Sequence, residues 1–159
     1  MPLSGTRVPA LGGPAGPSMG MILADMGAEV IRPQVKMIET EAALGLAGRL
    51  YYEGGNVGVP EPEEFWIQCQ EAPADLVIEE GLDLEVSKDL ARRWPGAIVV
   101  RLTPFGSSGP RQSWAGSDLV CASRAGMVFV NGHPDRAPLQ PFGTQAYNTA
   151  GIWGCHLQT

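Results

Sequence analysis

No stretch of this chain approaches the ~18–20 consecutive apolar residues that a membrane-crossing helix requires, so no transmembrane helix is expected. The first residues, MPLSGTRVPALGG, lack a basic segment leading into an apolar one; they do not read as a secretory leader, and the expected location is cytoplasmic. Cysteine is sparse: Cys69, Cys121 and Cys155 are far apart, odd in number and form no CxxC, which argues against a disulfide framework and against a zinc site. Each reads as a small buried hydrophobe. Basic residues are also scarce, with Lys+Arg 11 against Asp+Glu 17 and a formal net charge of −6. Nucleic acid and anionic membranes need a basic surface, so neither is an expected partner. His133 and His156 have no companions at ligand or triad spacing, and no metal is expected. Internal repeats and low-complexity tracts are absent.

What remains is a chain of 159 residues, the size of one ordinary domain, with 44% hydrophobic and 18% charged residues. Gly 21 and Pro 14 give it much loop and turn. Residues 6–11 read as a short strand weakened by Pro9. The loop Gly12-Gly13-Pro14-Ala15-Gly16-Pro17 follows, then a helix over 18–26 with Met19, Ile22, Leu23 and Met26 at helical spacing, and a strand over 29–32. Residues 38–52 are Ala/Leu-rich and read as helical, and EGGNVGVPEPEE as a turn-rich connector. A short helix is expected over 63–70, a buried strand over 75–79, an amphipathic helix over 84–93 and an apolar strand over 97–102. This alternation implies an α/β fold, a Rossmann-like parallel sheet flanked by helices. Beyond it, Ser117 can cap a helix over 119–125, NGHPDRAP is a turn, and 144–157 reads as a helix broken by Gly151 and Gly154. The ending carries no stop signal, so the chain reads as cut short.

Two loops invite a ligand. Glycines between the first strand and helix let backbone approach an anion at a helix N-terminus. A dinucleotide site is one reading, but Gly12, Gly16 and Gly20 are spaced by four and the second strand ends at Arg32, which could read only a 2′-phosphate. The second loop, Thr103-Pro104-Phe105-Gly106-Ser107-Ser108-Gly109-Pro110, leaves the C-terminal end of a strand, where ligand sites in open α/β sheets collect.

The ordered text of these segments resembles class III CoA-transferases, the family of formyl-CoA transferase, carnitine CoA-transferase and the α-methylacyl-CoA racemases. Their text reads roughly "T-P-F-G-x-x-G-P", then "D-L-V-x-Q-A-x-x-G-x-M-x-x-x-G-x-P-D". Thr103, Pro104, Phe105, Gly106, Gly109, Pro110, Asp118, Leu119, Val120, Gly126, Met127, Gly132, Pro134, Asp135 and Pro138 keep it, and AGP followed by LADMGAEVIR keeps the family's first loop, helix and strand. The resemblance implies the N-terminal part of that family's large domain, here a single domain over 1–159 without the second, smaller one. It implies coenzyme A as ligand, touched near Ala15 and Gly16 and near Pro104, Phe105 and Gly106, with Arg32 and Lys88 the nearest matches to basic phosphate-binding residues. An acyl-CoA and a small carboxylic acid would be the substrates, and a second copy or a partner chain is expected.

The chain departs from the family at several places. Gly54-Gly55-Asn56-Val57-Gly58-Val59 stands where the family has "N-R-G-K-x-S", and Ile78-Glu79-Glu80-Gly81 where it has "V-I-E-N-F". Four residues before the glycine matching Gly151 the family carries a nucleophilic aspartate, and this chain carries Tyr147. A phenol with a pKa near about 10 is a poor stand-in for a carboxylate. Asp118 is the remaining carboxylate at a family-matched position, and it reads more readily as a group that caps or orients a helix. Two functions follow: CoA transfer between an acyl-CoA and an acid, or a non-catalytic module of the same fold that binds a nucleotide or a partner. An NADP-binding Rossmann domain is a lesser alternative.

Overall fold

In a computed structural model, residues 1–33, 47, 51–52, 54–59 and 62–156 are described. Among them five strands form one parallel sheet: β1 (Arg7–Gly12), β2 (Glu29–Pro33), β3 (Asn56–Val59), β4 (Leu76–Glu80) and β5 (Ile98–Leu102), in the order β3-β2-β1-β4-β5. The helices are α1 (Gly16–Asp25), α2 (Pro62–Glu71), α3 (Leu84–Arg93), α4 (Asp118–Arg124) and α5 (Gln145–His156). The α/β sandwich with a Rossmann-like sheet is therefore present. Among the described residues no helix is long and apolar enough to cross a membrane.

Strands buried on both faces read as apolar runs, as Leu76, Val77 and Ile78 of β4 do. One layer of core lies beneath α1, with Val8, Met19, Leu23, Val30 and Ile78 buried. The other lies beneath α2 and α3, with Ile31, Phe65, Cys69, Val77, Leu90 and Trp94. Burial pushes the Cys69 thiol up to about 11, so it stays protonated and behaves as an apolar filler. Helix α3 begins with the Asp83 carboxylate accepting from the Glu85 N–H and ends with Arg92 and Arg93, favourable at either end of the dipole.

Two sequence expectations differ from the structure, while the strand that Pro9 weakens is present. Pro9 lies in the central strand: β1 pairs with β2 along Arg7–Pro9 and with β4 along Ala10–Gly12. The missing N–H thus falls where pairing passes from one neighbour to the other. The connector EGGNVGVPEPEE contains β3, a glycine-bearing edge strand with too weak an apolar pattern to be read from sequence. The break expected within 144–157 is not seen among the described residues: α5 runs through both Gly151 and Gly154. The helix expected over 38–52 lies outside the described residues but for Ala47, Tyr51 and Tyr52.

Those two glycines let α5 lie against α1. A Cβ on Gly151 would come within 2.8 Å of the Met19 backbone N and the Ser18 Cβ, and one on Gly154 within 2.8 Å of the Met19 sulfur. Asn148 fastens the same contact, its Oδ1 accepting from Ser18 Oγ at 2.7 Å and from the Tyr52 hydroxyl at 3.3 Å. Gly151→Ala should force the helices apart, and overpacking of this kind costs about 1–3 kcal/mol. At ~2–4 °C per kcal/mol for a domain this size, a melting curve should show a drop of several degrees despite the gain in helix propensity. An unchanged or raised midpoint would mean the helices are not in this contact.

Candidate active site

The first βα loop reaches the sheet surface because Gly12 has φ +95, and a Cβ there would strike the carbonyl of Glu80. Gly13 donates its N–H to that same carbonyl at 3.3 Å. The C-terminal ends of β1 and β4 are thus clamped side by side at the point where strand order reverses, the usual ligand position in open α/β sheets.

Alternation along β4 sends its two last carboxylates to opposite faces. Glu79, fully buried, accepts from Ser87 Oγ at 2.7 Å and sits 3.1 Å from Arg101 Nε, on the α3 side. Glu80 turns to the α1 side. Its Oε2 accepts the backbone N–H of Ala15 at 2.7 Å and of Gly16 at 2.9 Å. The N-cap residue of α1, Ala15, has no side chain to cap with, so the carboxylate from β4 caps the helix instead. Burial raises the Glu80 carboxyl above its ordinary value, outweighing the two N–H bonds that pull it down.

A cavity of about 130 Å³ opens beside this carboxylate, lined by Ala15, Glu80, Leu102, Thr103, Pro104, Cys121, Ala146, Tyr147 and Ala150. Burial raises the Tyr147 phenol, with the charges of Asp118 and Glu80 contributing, and it stays protonated. The Cys121 thiol is raised by the same burial and the same two carboxylates, which leaves it inert as a nucleophile. Asp118 is buried in the first turn of α4, itself capped by Ser117, and its Oδ1 accepts the Tyr147 backbone N–H at 3.0 Å. Its carboxylate therefore orients the start of α5.

A wider groove of about 390 Å³ continues from the cavity through the shared Pro104, Cys121, Ala146 and Ala150. Phe105, Met127 and Trp153 make it apolar, and Arg111 and Arg124 bring positive charge. Arg111 stacks over Trp114, which meets Phe105 edge to face.

The structure gathers Ala15, Pro104 and Tyr147 in one cavity, with Phe105 on the adjoining groove. Gly106 lies in the same loop, its N–H donated to Thr103 Oγ1. Gly16 and Arg32 meet at a separate, much smaller hollow above β1 and β2. Lys88 is not brought in: it is exposed on α3 and paired with Glu85 at 2.8 Å. Among the described residues no cluster of His, Cys, Asp and Glu could hold a metal. Sequence reasoning passed over Glu80. The available signal was an acidic residue ending the strand beside the glycine loop, where a helix N-terminus waits.

Comparison with known proteins agrees with this architecture. Residues 80–156 match CoA-transferase family III. The chain is 31% identical to succinate–glutarate CoA-transferase of Agrobacterium fabrum over 87% of its own length and 41% of that protein. It is 29% identical to the BbsE subunit of succinyl-CoA:(R)-benzylsuccinate CoA-transferase of Thauera aromatica, over 91% of its length and 40% of the relative. A crystal structure of a hypothetical protein from Mycobacterium tuberculosis superposes with a TM-score of 0.73 at 30% identity, covering 99% of this chain and 49% of that one. The chain belongs to CoA-transferase family III. It spans about two fifths of the curated relatives it matches.

The raised Glu80 carboxyl has a consequence for stability. The folded state binds this proton more tightly than the unfolded state, so the stabilisation is complete below the unfolded value, about 4.3, and is lost as pH climbs through the folded one. Glu80→Gln keeps an oxygen to accept both N–H groups but cannot ionise. Melting midpoints of the unaltered protein should fall relative to those of Glu80→Gln as pH rises from 4 toward neutrality; parallel curves would show that Glu80 is not desolvated.

Proposed function

We propose that the chain moves coenzyme A between an acyl-CoA thioester and a small carboxylic acid, without a metal, at the cavity beside Glu80 and Tyr147. One observation carries this reading: Ala15, Pro104 and Tyr147, three positions set by family-matched text, line a single cavity at the sheet's C-terminal edge. The adjoining groove supports an acyl group with a second acidic end, because its walls are apolar and Arg111 and Arg124 offer charge to a distal carboxylate. Dicarboxylic acids figure in the names of both curated relatives. Tyr147 is not the nucleophile, since a desolvated phenol remains protonated.

Succinyl-CoA mixed with labelled glutarate and the protein should yield glutaryl-CoA by mass spectrometry. Tyr147→Phe should keep measurable exchange, and abolition of exchange by that change would return the tyrosine to the chemistry.

The absence of an aspartate at position 147 supports a second reading, a non-catalytic module that binds a nucleotide or a partner. Micromolar CoA binding by calorimetry with no exchange is its expected signature. A melting temperature raised by NADP(H) but not by CoA would point to a dinucleotide instead.

Both readings include a second copy or a partner chain. Phe129, Val130 and Phe142 are each more than four-fifths exposed, and Trp153 and Ile152 stand out from α5. Large apolar side chains this exposed favour an interaction face. Light scattering should find a species larger than one chain, and a strictly monomeric solution would refute the association.

A further inference from the structure

The cavity holds a carboxylate of its own, and its setting is that of a nucleophile. Glu80 presents two unlike oxygens. Oε2 is held by the Ala15 and Gly16 N–H groups, at 2.7 and 2.9 Å. Oε1 takes no hydrogen bond among the described residues. Both donors lie within the ~2.7–3.1 Å range at which backbone N–H groups stabilise an oxyanion. The carboxyl is half-buried and lines the same cavity as Tyr147. The other carboxylates nearby are engaged: Asp118 by the Tyr147 N–H, Glu79 by Ser87 and Arg101 across the sheet.

We propose that Glu80 is the nucleophilic carboxylate of this site, and that the Ala15 and Gly16 N–H pair is its oxyanion hole. The proposal rests on the CoA-transfer reading above and assigns its covalent group. Oε1 attacks the thioester carbonyl of the acyl-CoA; the carbon–sulfur bond breaks, CoA leaves as thiolate, and a mixed anhydride with Glu80 remains. The thiolate then attacks Cδ of Glu80. Negative charge collects on Oε2 between the two N–H groups, the Cδ–Oε1 bond breaks, and the donor acid departs carrying that oxygen. Glu80 is left as a CoA thioester. The acceptor carboxylate attacks Cδ and expels the thiolate, which next attacks the acceptor's own carbonyl. A new acyl-CoA forms and the Glu80 carboxylate is restored, with no net proton or electron required. Tyr147, protonated, lines the same cavity and adds a hydrogen-bond donor to it.

The decisive experiment traps the intermediate on the unaltered protein. After incubation with succinyl-CoA, borohydride reduces an enzyme thioester to an alcohol, and peptide mass spectrometry locates it. The expected result is a reduced residue at Glu80, lost in Glu80→Gln along with roughly 10³-fold or more of the exchange rate. The glutamine oxygen still accepts both N–H bonds, and circular dichroism melts will show whether that variant folds. Should it not fold, the position trapped on the unaltered protein decides alone. Exchange with the adduct on Asp118 or elsewhere, or undiminished exchange by a folded Glu80→Gln, overturns Glu80 and leaves CoA transfer standing. Neither exchange nor adduct in the unaltered protein overturns the CoA-transfer reading, and this assignment with it.

Discussion

The site depends on how closely two strand ends can approach. β1 and β4 are neighbours although residues 13–75 separate them in the chain, and their C-terminal tips meet where the sheet's connections change direction. Gly12 permits the meeting, because any side chain there would collide with the Glu80 backbone and the positive φ would be strained besides. Gly13 gives the same freedom to the Glu80 side chain, whose Cδ would lie 2.8 Å from a Cβ at that position. With both glycines in place, the carboxylate drops onto the start of α1 and closes the helix end that its own sequence leaves uncapped. Helix, loop and strand are thereby fixed relative to one another by two backbone-to-carboxylate bonds.

The second wall of the cavity comes from far along the chain. α5 brings Ala146, Tyr147 and Ala150 to the site only because Gly151 and Gly154 let it lie on α1 at close range. Asp118 then sets the helix start, its carboxylate on the Tyr147 N–H. Close helix packing and a carboxylate–amide bond, both outside the reacting centre, thus determine where a side chain at position 147 can point.

How much of this was legible in the sequence follows from what each signal measures. The apolar runs DLVIE and AIVVRL announced β4 and β5 to within a residue, the first because β4 is covered on both sheet faces. AGP followed by LADMGAEVIR placed the first loop, helix and strand. Glycine misled twice: in α5 it served close packing where it was read as a break, and in β3 it sat in a strand where it was read as a turn. Propensity describes the isolated chain, and tertiary contact overrode it in both cases. At the site, Ala15, Pro104 and Tyr147 were visible as motif positions. Glu80 was not, because its role arises from a neighbour sixty-five residues away along the chain.

The two departures from the family's text gain meaning when placed in space. On the resemblance, Glu80 falls where the family text has an asparagine and Tyr147 where it has an aspartate, and both line one cavity of about 130 Å³. On the proposed assignment the nucleophilic carboxylate sits at the tip of β4 rather than in the first turn of α5. A carboxylate in the first turn of α5 would face the positive end of that helix. At the tip of β4 it meets two fixed amide donors and the positive end of a helix, partners that need not reorganise when charge shifts from one oxygen to the other. A tyrosine opposite such a group is a compatible neighbour: it adds a hydrogen-bond donor without adding a second negative charge, which two carboxylates at this distance would resist.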